Sequence, residues 1–107
     1  MTNLYCWRCR SMVPMLDEAE FAEAQRLYAL MFDKRRSGIS RSESAQPLLD
    51  YYNLLTGFGE TEPNAIMHHR ISQYGPACGA CGKPYRTPLA TICVVCGGKR
   101  DTRPDPL

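Results

Sequence analysis

The sequence lacks the long apolar run that a membrane-spanning helix needs. None of its 107 residues lies in a stretch that approaches about 20 consecutive apolar side chains. The first six residues also lack the basic and apolar regions of a secretory signal peptide. We therefore expect a cytoplasmic protein that does not enter a membrane.

The common catalytic and nucleotide-binding motifs are missing as well. The sequence contains no Walker-type phosphate-binding loop, no glycine-rich dinucleotide fingerprint and no nucleophile elbow. It also lacks the His-x-Glu and Pro-Cys-x-x-Cys combination of nucleotide deaminases. These absences predict a protein without enzymatic activity.

Cysteine is well represented, with six residues that form three Cys-x-x-Cys pairs. Without an export signal, this spacing favours metal binding over disulfide bonds. The last two pairs, Cys78 with Cys81 and Cys93 with Cys96, are separated by eleven residues, and each is followed by glycine. Four thiolates at that spacing can surround one zinc ion, so we predict a closed, structural zinc ribbon of short strands at residues 77–98.

The first pair, Cys6 and Cys9, lacks two further ligands. His68 and His69 are the only histidines in the sequence, and their imidazoles would complete a second zinc site. Neighbouring helix residues point about 100° apart, so both can bind one ion only at a helix end or in a distorted turn. A single histidine ligand beside another side chain or water is an alternative. Ordinary packing of the histidines, and a thiol-disulfide or zinc-regulated redox switch at the cysteines, stay open.

Helical signals fill the region between the cysteine pairs. Asp17 and Glu20 form a capping-box pattern before an apolar repeat, which predicts a long first helix. Pro47 in a first turn predicts a second helix that ends at Gly57, and residues 64–74 predict a third of about three turns. The expected fold is a small α-rich domain of two main helices and a short third, with the N-terminal cysteine knuckle packed on the ribbon.

Charge is divided along the chain although the net charge is only +2. Residues 15–62 carry nine acidic and five basic side chains, whereas residues 68–107 carry six basic and two acidic ones. We divide the chain into a knuckle and helical region at 1–76, the ribbon at 77–98 and a polar tail at 99–107, and we expect one cooperative unit.

This division of charge predicts two kinds of binding surface. An acidic helical face would engage a protein partner, and we expect Tyr51, Tyr52, Glu60 and Glu62 to contribute to it. The alternative is nucleic-acid binding by a basic cluster on and beside the ribbon. The members of that cluster are Lys83, Tyr85, Arg86, Lys99, Arg100 and Arg103.

Three blocks of the sequence together resemble a group of small bacterial proteins that join an N-terminal Cys-x-x-Cys to a C-terminal zinc ribbon. The blocks are Cys6-Trp-Arg-Cys9 with residues 13–17, residues 55–61 with 64–66, and residues 68–76 leading into 78–96. Small proteins of this kind often occur beside secreted bacterial toxins as immunity proteins. The resemblance implies a zinc-binding protein that binds a protein partner and neutralises a cognate toxin.

Overall fold

A computed structural model of the chain describes residues 1–100. The elements in chain order are β1 (Asn3–Cys6), β2 (Ser11–Pro14), α1 (Glu18–Arg36), α2 (Arg41–Thr56), α3 (Pro63–Ile66) and a 3₁₀ turn at Ile71–Gln73. The predicted α-rich class with two main helices and a short third is confirmed. The N-terminal strands add a small two-stranded antiparallel sheet.

The N-terminal cysteine pair lies at the tip of a β-hairpin. Strands β1 and β2 pair from Asn3 opposite Pro14 to Cys6 opposite Ser11. Cys6 is therefore the last residue of β1, and Cys9 belongs to the connecting turn. Arg10 closes this turn in the left-handed region, with φ of 55°, and its amide donates to the Cys6 carbonyl over 2.7 Å. The hairpin thus holds both thiols on one tight turn.

Helix α1 begins as the capping box predicts. The Asp17 carboxylate accepts from the Glu20 amide over 2.8 Å, and the Glu20 side chain accepts from the Asp17 amide over 2.9 Å. These reciprocal bonds satisfy two amides that the first turn leaves without helical partners. Phe21, Ala24 and Met31 are buried along the inner face of α1. The capping box and the apolar stripe are both confirmed.

Helix α2 begins earlier than its proline indicates. The Ser40 side chain caps the helix by accepting from the Glu43 amide over 3.3 Å, so α2 starts at Arg41 and Pro47 lies inside it. The expectation that α2 starts with Pro47 in its first turn is wrong, because the serine cap and the buried Ser44 stabilise a turn before the proline. The predicted end is confirmed at Gly57, which adopts the left-handed conformation with φ of 69°.

Helix α3 is much shorter than predicted. Only Pro63–Ile66 is α-helical. Beyond it, the Leu16 amide donates to the His69 carbonyl over 2.7 Å, and the Ile71 amide donates to the Leu16 carbonyl over 3.0 Å. These bonds form a parallel bridge to the chain that leaves β2, and they replace the helical bonds. The prediction of three helical turns in residues 64–74 is therefore wrong.

Three buried clusters hold the described residues together. The helical cluster comprises Leu16, Phe21, Ala24, Leu48, Tyr52 and Ile66. The hairpin cluster comprises Cys6, Val13, Met15 and Tyr74, and the C-terminal cluster comprises Cys78, Tyr85 and Cys93. Because the C-terminal cluster consists of one aromatic ring and cysteine side chains, it has little apolar surface of its own to bury.

The C-terminal segment, residues 77–100, forms turns rather than the predicted short strands. Two isolated antiparallel bridges join Ala77 to Pro84 and Ile92 to Lys99, and each encloses one Cys-x-x-Cys pair. The ordered chain continues past residue 98, because the Arg100 amide donates to the Thr91 carbonyl over 2.7 Å. The remainder of the predicted tail, including Arg103, lies outside the described residues. Within residues 1–100, no helix has the length and apolar character needed to cross a membrane.

Candidate metal centres

The four C-terminal cysteines converge on one point. Their sulfur atoms all lie within 4.8 Å of one another. The distance from Cys78 Sγ to Cys96 Sγ is 3.8 Å, and that from Cys81 Sγ to Cys93 Sγ is 3.6 Å. Two sulfurs bound to tetrahedral zinc through bonds of about 2.3 Å would be separated by about 3.8 Å. The cluster therefore has the ligand number and the spacing of a closed four-cysteine metal site.

The two C-terminal pairs repeat the same backbone turn. The carbonyl of Cys78 accepts from the Gly82 amide, and that of Cys93 accepts from the Gly97 amide, each over 2.8 Å. The glycines have φ of 78° and 77°. An added Cβ would meet no atom within 4 Å at either position. Glycine is therefore favoured at both positions by the left-handed backbone and not by a lack of space.

Backbone amides in these turns stabilise thiolates. The Cys81 and Ala80 amides hydrogen-bond Cys78 and lower the pKa of its thiol to about 6. The Cys96 amide makes the largest contribution to the lowered pKa of Cys93. Because metals bind the thiolate and not the thiol, these amides favour the ligand form at the first cysteine of each pair.

A second cluster joins the hairpin to the segment after α3. Cys6, Cys9 and His68 each offer a ligand atom, and these atoms lie within 4.8 Å of one another. His69 contacts this set through Cys9, since its Nε2 lies 3.5 Å from Cys9 Sγ. The four residues that the sequence singled out for a second site are thus brought together.

The break in the third helix explains how both histidines reach the cysteines. His68 and His69 follow α3 in a turn, where the amide of His69 donates to Ile66 and its carbonyl accepts from Leu16. Two adjacent residues of a regular helix would diverge by about 100°. Because α3 ends at Ile66, that spacing does not apply to His68 and His69.

The hairpin site, made up of Cys6, Cys9, His68 and His69, is largely closed to solvent. Cys6 and His69 are both 0% exposed. Cys6 Sγ accepts from the Cys9 amide over 3.4 Å and contacts the Tyr74 hydroxyl at 3.2 Å. His68 Nδ1 is buried and has no hydrogen-bond partner among the described residues. A buried nitrogen without a partner needs an explanation, and a bound ion would provide one.

Burial sets the protonation states in this cluster. It lowers the pKa of His68, and it lowers that of His69 to about 4, with smaller contributions from Arg8 and His68 respectively. Both imidazoles are therefore neutral near pH 7, which is the form that binds metal. Burial and the neighbouring Cys6 raise the pKa of Cys9 to about 11. The raised pKa disfavours the thiolate of Cys9 when no metal is bound.

Two tyrosines beside this cluster make contacts that the sequence does not predict. The Tyr52 hydroxyl lies 3.0 Å from His69 Nδ1 and 2.6 Å from the Pro14 carbonyl. The Tyr74 hydroxyl lies 2.7 Å from the His68 carbonyl. Both tyrosines are far from Cys6 and Cys9 in sequence, and no local pattern marks a tyrosine as a neighbour of a metal ligand.

The residues predicted to bind a partner differ in accessibility. Tyr52 is 0% exposed, so its assignment to a partner surface is wrong. Tyr51 is half-buried. Glu60 is half-buried and accepts from the Glu62 amide over 3.1 Å, while Glu62 forms an ion pair with Arg41 at 2.9 Å. The two glutamates therefore stabilise the loop between α2 and α3.

The basic cluster is partly engaged within the protein. Lys83 Nζ lies 4.7 Å from the centre of the Tyr5 ring. The Arg100 guanidinium lies 5.2 Å from the centre of the buried Tyr85 ring and donates to the Pro88 carbonyl over 2.9 Å. Arg86 and Lys99 are exposed. Two of the predicted nucleic-acid residues, Lys83 and Arg100, therefore make contacts within the protein.

Comparison with protein-family models, with curated proteins and with solved structures gave no match. The side chains themselves therefore define the class of protein. It is a small α-rich protein in which residues 1–100 contain two clusters that could hold metal ions, one of four cysteines and one built from Cys6, Cys9 and His68. The association with toxin-immunity proteins stays an expectation that comes only from the resemblance to small bacterial zinc-ribbon proteins.

Proposed function

We propose that this protein is a non-enzymatic zinc protein whose metal sites support a helical surface that binds another protein. The cysteine and histidine ligands favour zinc over hard cations, which prefer oxygen. Four protein ligands around the C-terminal ion leave no position for a substrate. Because such a closed site has a structural role, we propose that binding takes place on the protein surface.

The exposed face of α2 carries this proposal. Glu43, Gln46, Asp50 and Leu54 follow one another at helical spacing, and all four are exposed. Leu54 is 91% exposed, and Leu55 and Phe58 near the helix end are 40% and 42% exposed. A large apolar side chain that remains this accessible, next to others of its kind, is typical of a binding surface.

The charge on this face indicates the chemistry of the partner. Glu43 and Asp50 give the helix a negative flank beside the apolar end. A partner with a basic surface and an apolar recess would be complementary to both features, and charge complementarity would speed its association. The resemblance to immunity-type proteins supports a basic toxin, such as a nuclease-like one, as that partner.

Direct binding to the product of a neighbouring gene tests this proposal. The two purified proteins should form a complex in calorimetry, and co-expression should relieve the toxicity of the partner. Leu54→Asp should weaken binding, whereas Leu89→Asp, at another leucine that is 71% exposed but lies in the C-terminal segment, should not. No complex and no protection with any neighbouring product would remove the proposal.

Nucleic-acid binding is a second candidate because of one cleft. Trp7, Arg8, Tyr74 and Arg86 help to line an opening of about 360 Å³ between the hairpin and the C-terminal segment. An aromatic ring beside two arginines can stack on a base and contact phosphate. A gel-shift series should then show affinity that falls steeply with salt and depends on Trp7 and Arg86. Salt-independent or absent binding would exclude this candidate.

A further inference from the structure

His69 has a contact at each of its two ring nitrogens. Nε2 lies 3.5 Å from Cys9 Sγ, and Nδ1 lies 3.0 Å from the Tyr52 hydroxyl. The side chain is 0% exposed, so neither nitrogen turns to bulk water. A buried imidazole held on both sides has a defined orientation and a defined tautomer.

The tautomer follows from the contacts of Tyr52. Its hydroxyl has one proton, and the nearby Pro14 carbonyl, 2.6 Å away, can only accept. The proton is therefore donated to Pro14, and the hydroxyl oxygen accepts from His69. Nδ1 must then carry the hydrogen, which leaves the lone pair of Nε2 directed to Cys9. This is the tautomer that a metal bound at Nε2 requires.

The spacing also fits a metal ion. With Zn–S bonds of about 2.3 Å and Zn–N bonds of about 2.0 Å, tetrahedral geometry separates sulfur from nitrogen by about 3.5 Å. The separation of Cys9 Sγ and His69 Nε2 is 3.5 Å. The ligand atoms of Cys6, Cys9 and His68 lie within 4.8 Å of one another, and His69 Nε2 approaches this set at Cys9 Sγ.

We propose that His69 Nε2 is the fourth ligand of a closed two-cysteine, two-histidine zinc site with Cys6, Cys9 and His68. Tyr52 is a positioning residue that fixes the His69 tautomer from α2. The inference rests on the zinc-binding part of the proposed function and is independent of the partner. It links the ion to α2 as well as to the hairpin and the turn after α3, so one ion would connect three parts of the chain.

Magnetic resonance on the full chain loaded with ¹¹³Cd tests the ligand set. Two cadmium signals are expected, one from the four-cysteine site and one with through-bond coupling to ring protons of both His68 and His69. Long-range ¹H–¹⁵N correlation should show His69 metallated at Nε2 and protonated at Nδ1. Coupling to His68 alone, or a His69 ring with the opposite tautomer, would overturn the inference and would leave an ordinary thiol–imidazole hydrogen bond.

Variants on α2 test the positioning role. Tyr52→Phe should weaken metal binding at the hairpin site by about 10- to 100-fold, the usual effect of losing an outer hydrogen bond to a ligand. The four-cysteine site is the internal reference and should keep its ion. Tyr51→Phe is the matched control, because it removes a hydroxyl one residue away whose contact is the Glu20 carbonyl. Equal affinity in both variants would overturn the role of Tyr52.

Zinc content separates this inference from the proposed function. Wild-type protein should contain two zinc ions per chain, and His69→Ala should keep only the ion of the four-cysteine site. This second variant covers the case in which Tyr52→Phe does not fold. One ion per wild-type chain, with partner binding intact, would overturn the inference and leave the proposed function standing. Two ions per wild-type chain, with no partner found, would support the inference and count against the proposed partner-binding function.

Discussion

The Leu16 amide donates to the carbonyl of His69 over 2.7 Å. Together with the bond from the Ile71 amide to the Leu16 carbonyl, it ties the chain that leaves the hairpin to the segment after α3. It helps to end the helical path, and it holds His68 and His69 where both approach the hairpin cysteines. The hairpin site therefore depends on strand-like pairing between distant segments as much as on the identity of its candidate ligands.

Removing metal should unfold the C-terminal segment before the helices. The buried cluster of this segment contains only Cys78, Tyr85 and Cys93, whereas α1 and α2 share an apolar core of their own. Without an ion, the four thiols lose the bonds that hold the two turns together. Adding a strong chelator should therefore collapse the amide resonances of residues 77–100 into the narrow random-coil range, while helical circular dichroism is mostly kept.

Re-addition of zinc is the control for this experiment and should restore the native spectrum. A metal-free protein whose C-terminal resonances keep their native shifts would show that packing alone holds this segment. Simultaneous loss of the helices would show instead that the whole chain depends on metal.

Gly75 should tolerate no side chain. A Cβ at this position would clash with the backbone carbonyl of Thr87, and the Gly75 amide donates to the Tyr85 carbonyl over 2.8 Å. Gly75→Ala should therefore cost about 1–3 kcal/mol of stability, the usual range for overpacking a close contact. Thermal or urea unfolding of the zinc-loaded protein measures this loss.

Gly79→Ala is the matched control, since an added Cβ there meets nothing within 4 Å and the residue does not have positive φ. It should be close to neutral. If both variants unfold like the wild type, the close approach of Gly75 to Thr87 does not exist in solution.

The capping box should contribute measurably to stability. Asp17→Ala removes the acceptor for the Glu20 amide and should cost about 1 kcal/mol, within the usual range of about 0.5–2 kcal/mol for a capping residue. Asp50→Ala is the control, because Asp50 is exposed and its contact is a Gln46 side chain one turn away. Chemical denaturation should show no more than about 0.5 kcal/mol for the control. An equal loss of stability in both variants would mean that the removal of a negative charge, and not the loss of the cap, accounts for the effect.

Local signals predicted the parts of the fold that depend on neighbours in sequence. The capping box located the start of α1, and Gly57 located the end of α2, because both act within one helical turn. Pro47 gives a misleading signal, since proline is favoured in a first turn and disfavoured in a helix interior, yet it lies inside α2, which begins at Arg41. The serine cap at Ser40 is equally local, and it was available in the sequence.

Long-range contacts determine the features of the structure that the sequence does not predict. The early end of α3 results from the bridge between Leu16 and Arg70, which no window around residues 64–74 contains. Tyr52 was assigned to a partner surface because tyrosines are common at interfaces, but its hydroxyl contacts His69 and Pro14 in the core. The candidate ligands are brought together as two clusters that could hold metal ions, because spacing and residue chemistry define a metal site more directly than they define its surroundings.

The two metal clusters should lose their ions independently. They are built from separate ligand sets, and each set is held by its own turns and its own buried cluster. Cys78→Ser should therefore remove the C-terminal ion and disorder residues 77–100, while Cys6→Ser should remove the hairpin ion and leave the Tyr85 resonances native. Elemental analysis should give one zinc per chain in each variant. The double variant is the control and should contain none. Loss of both ions from a single substitution would instead make the two sites one cooperative unit, in which the cation–aromatic contact between Lys83 and Tyr5 would be the first connection to examine.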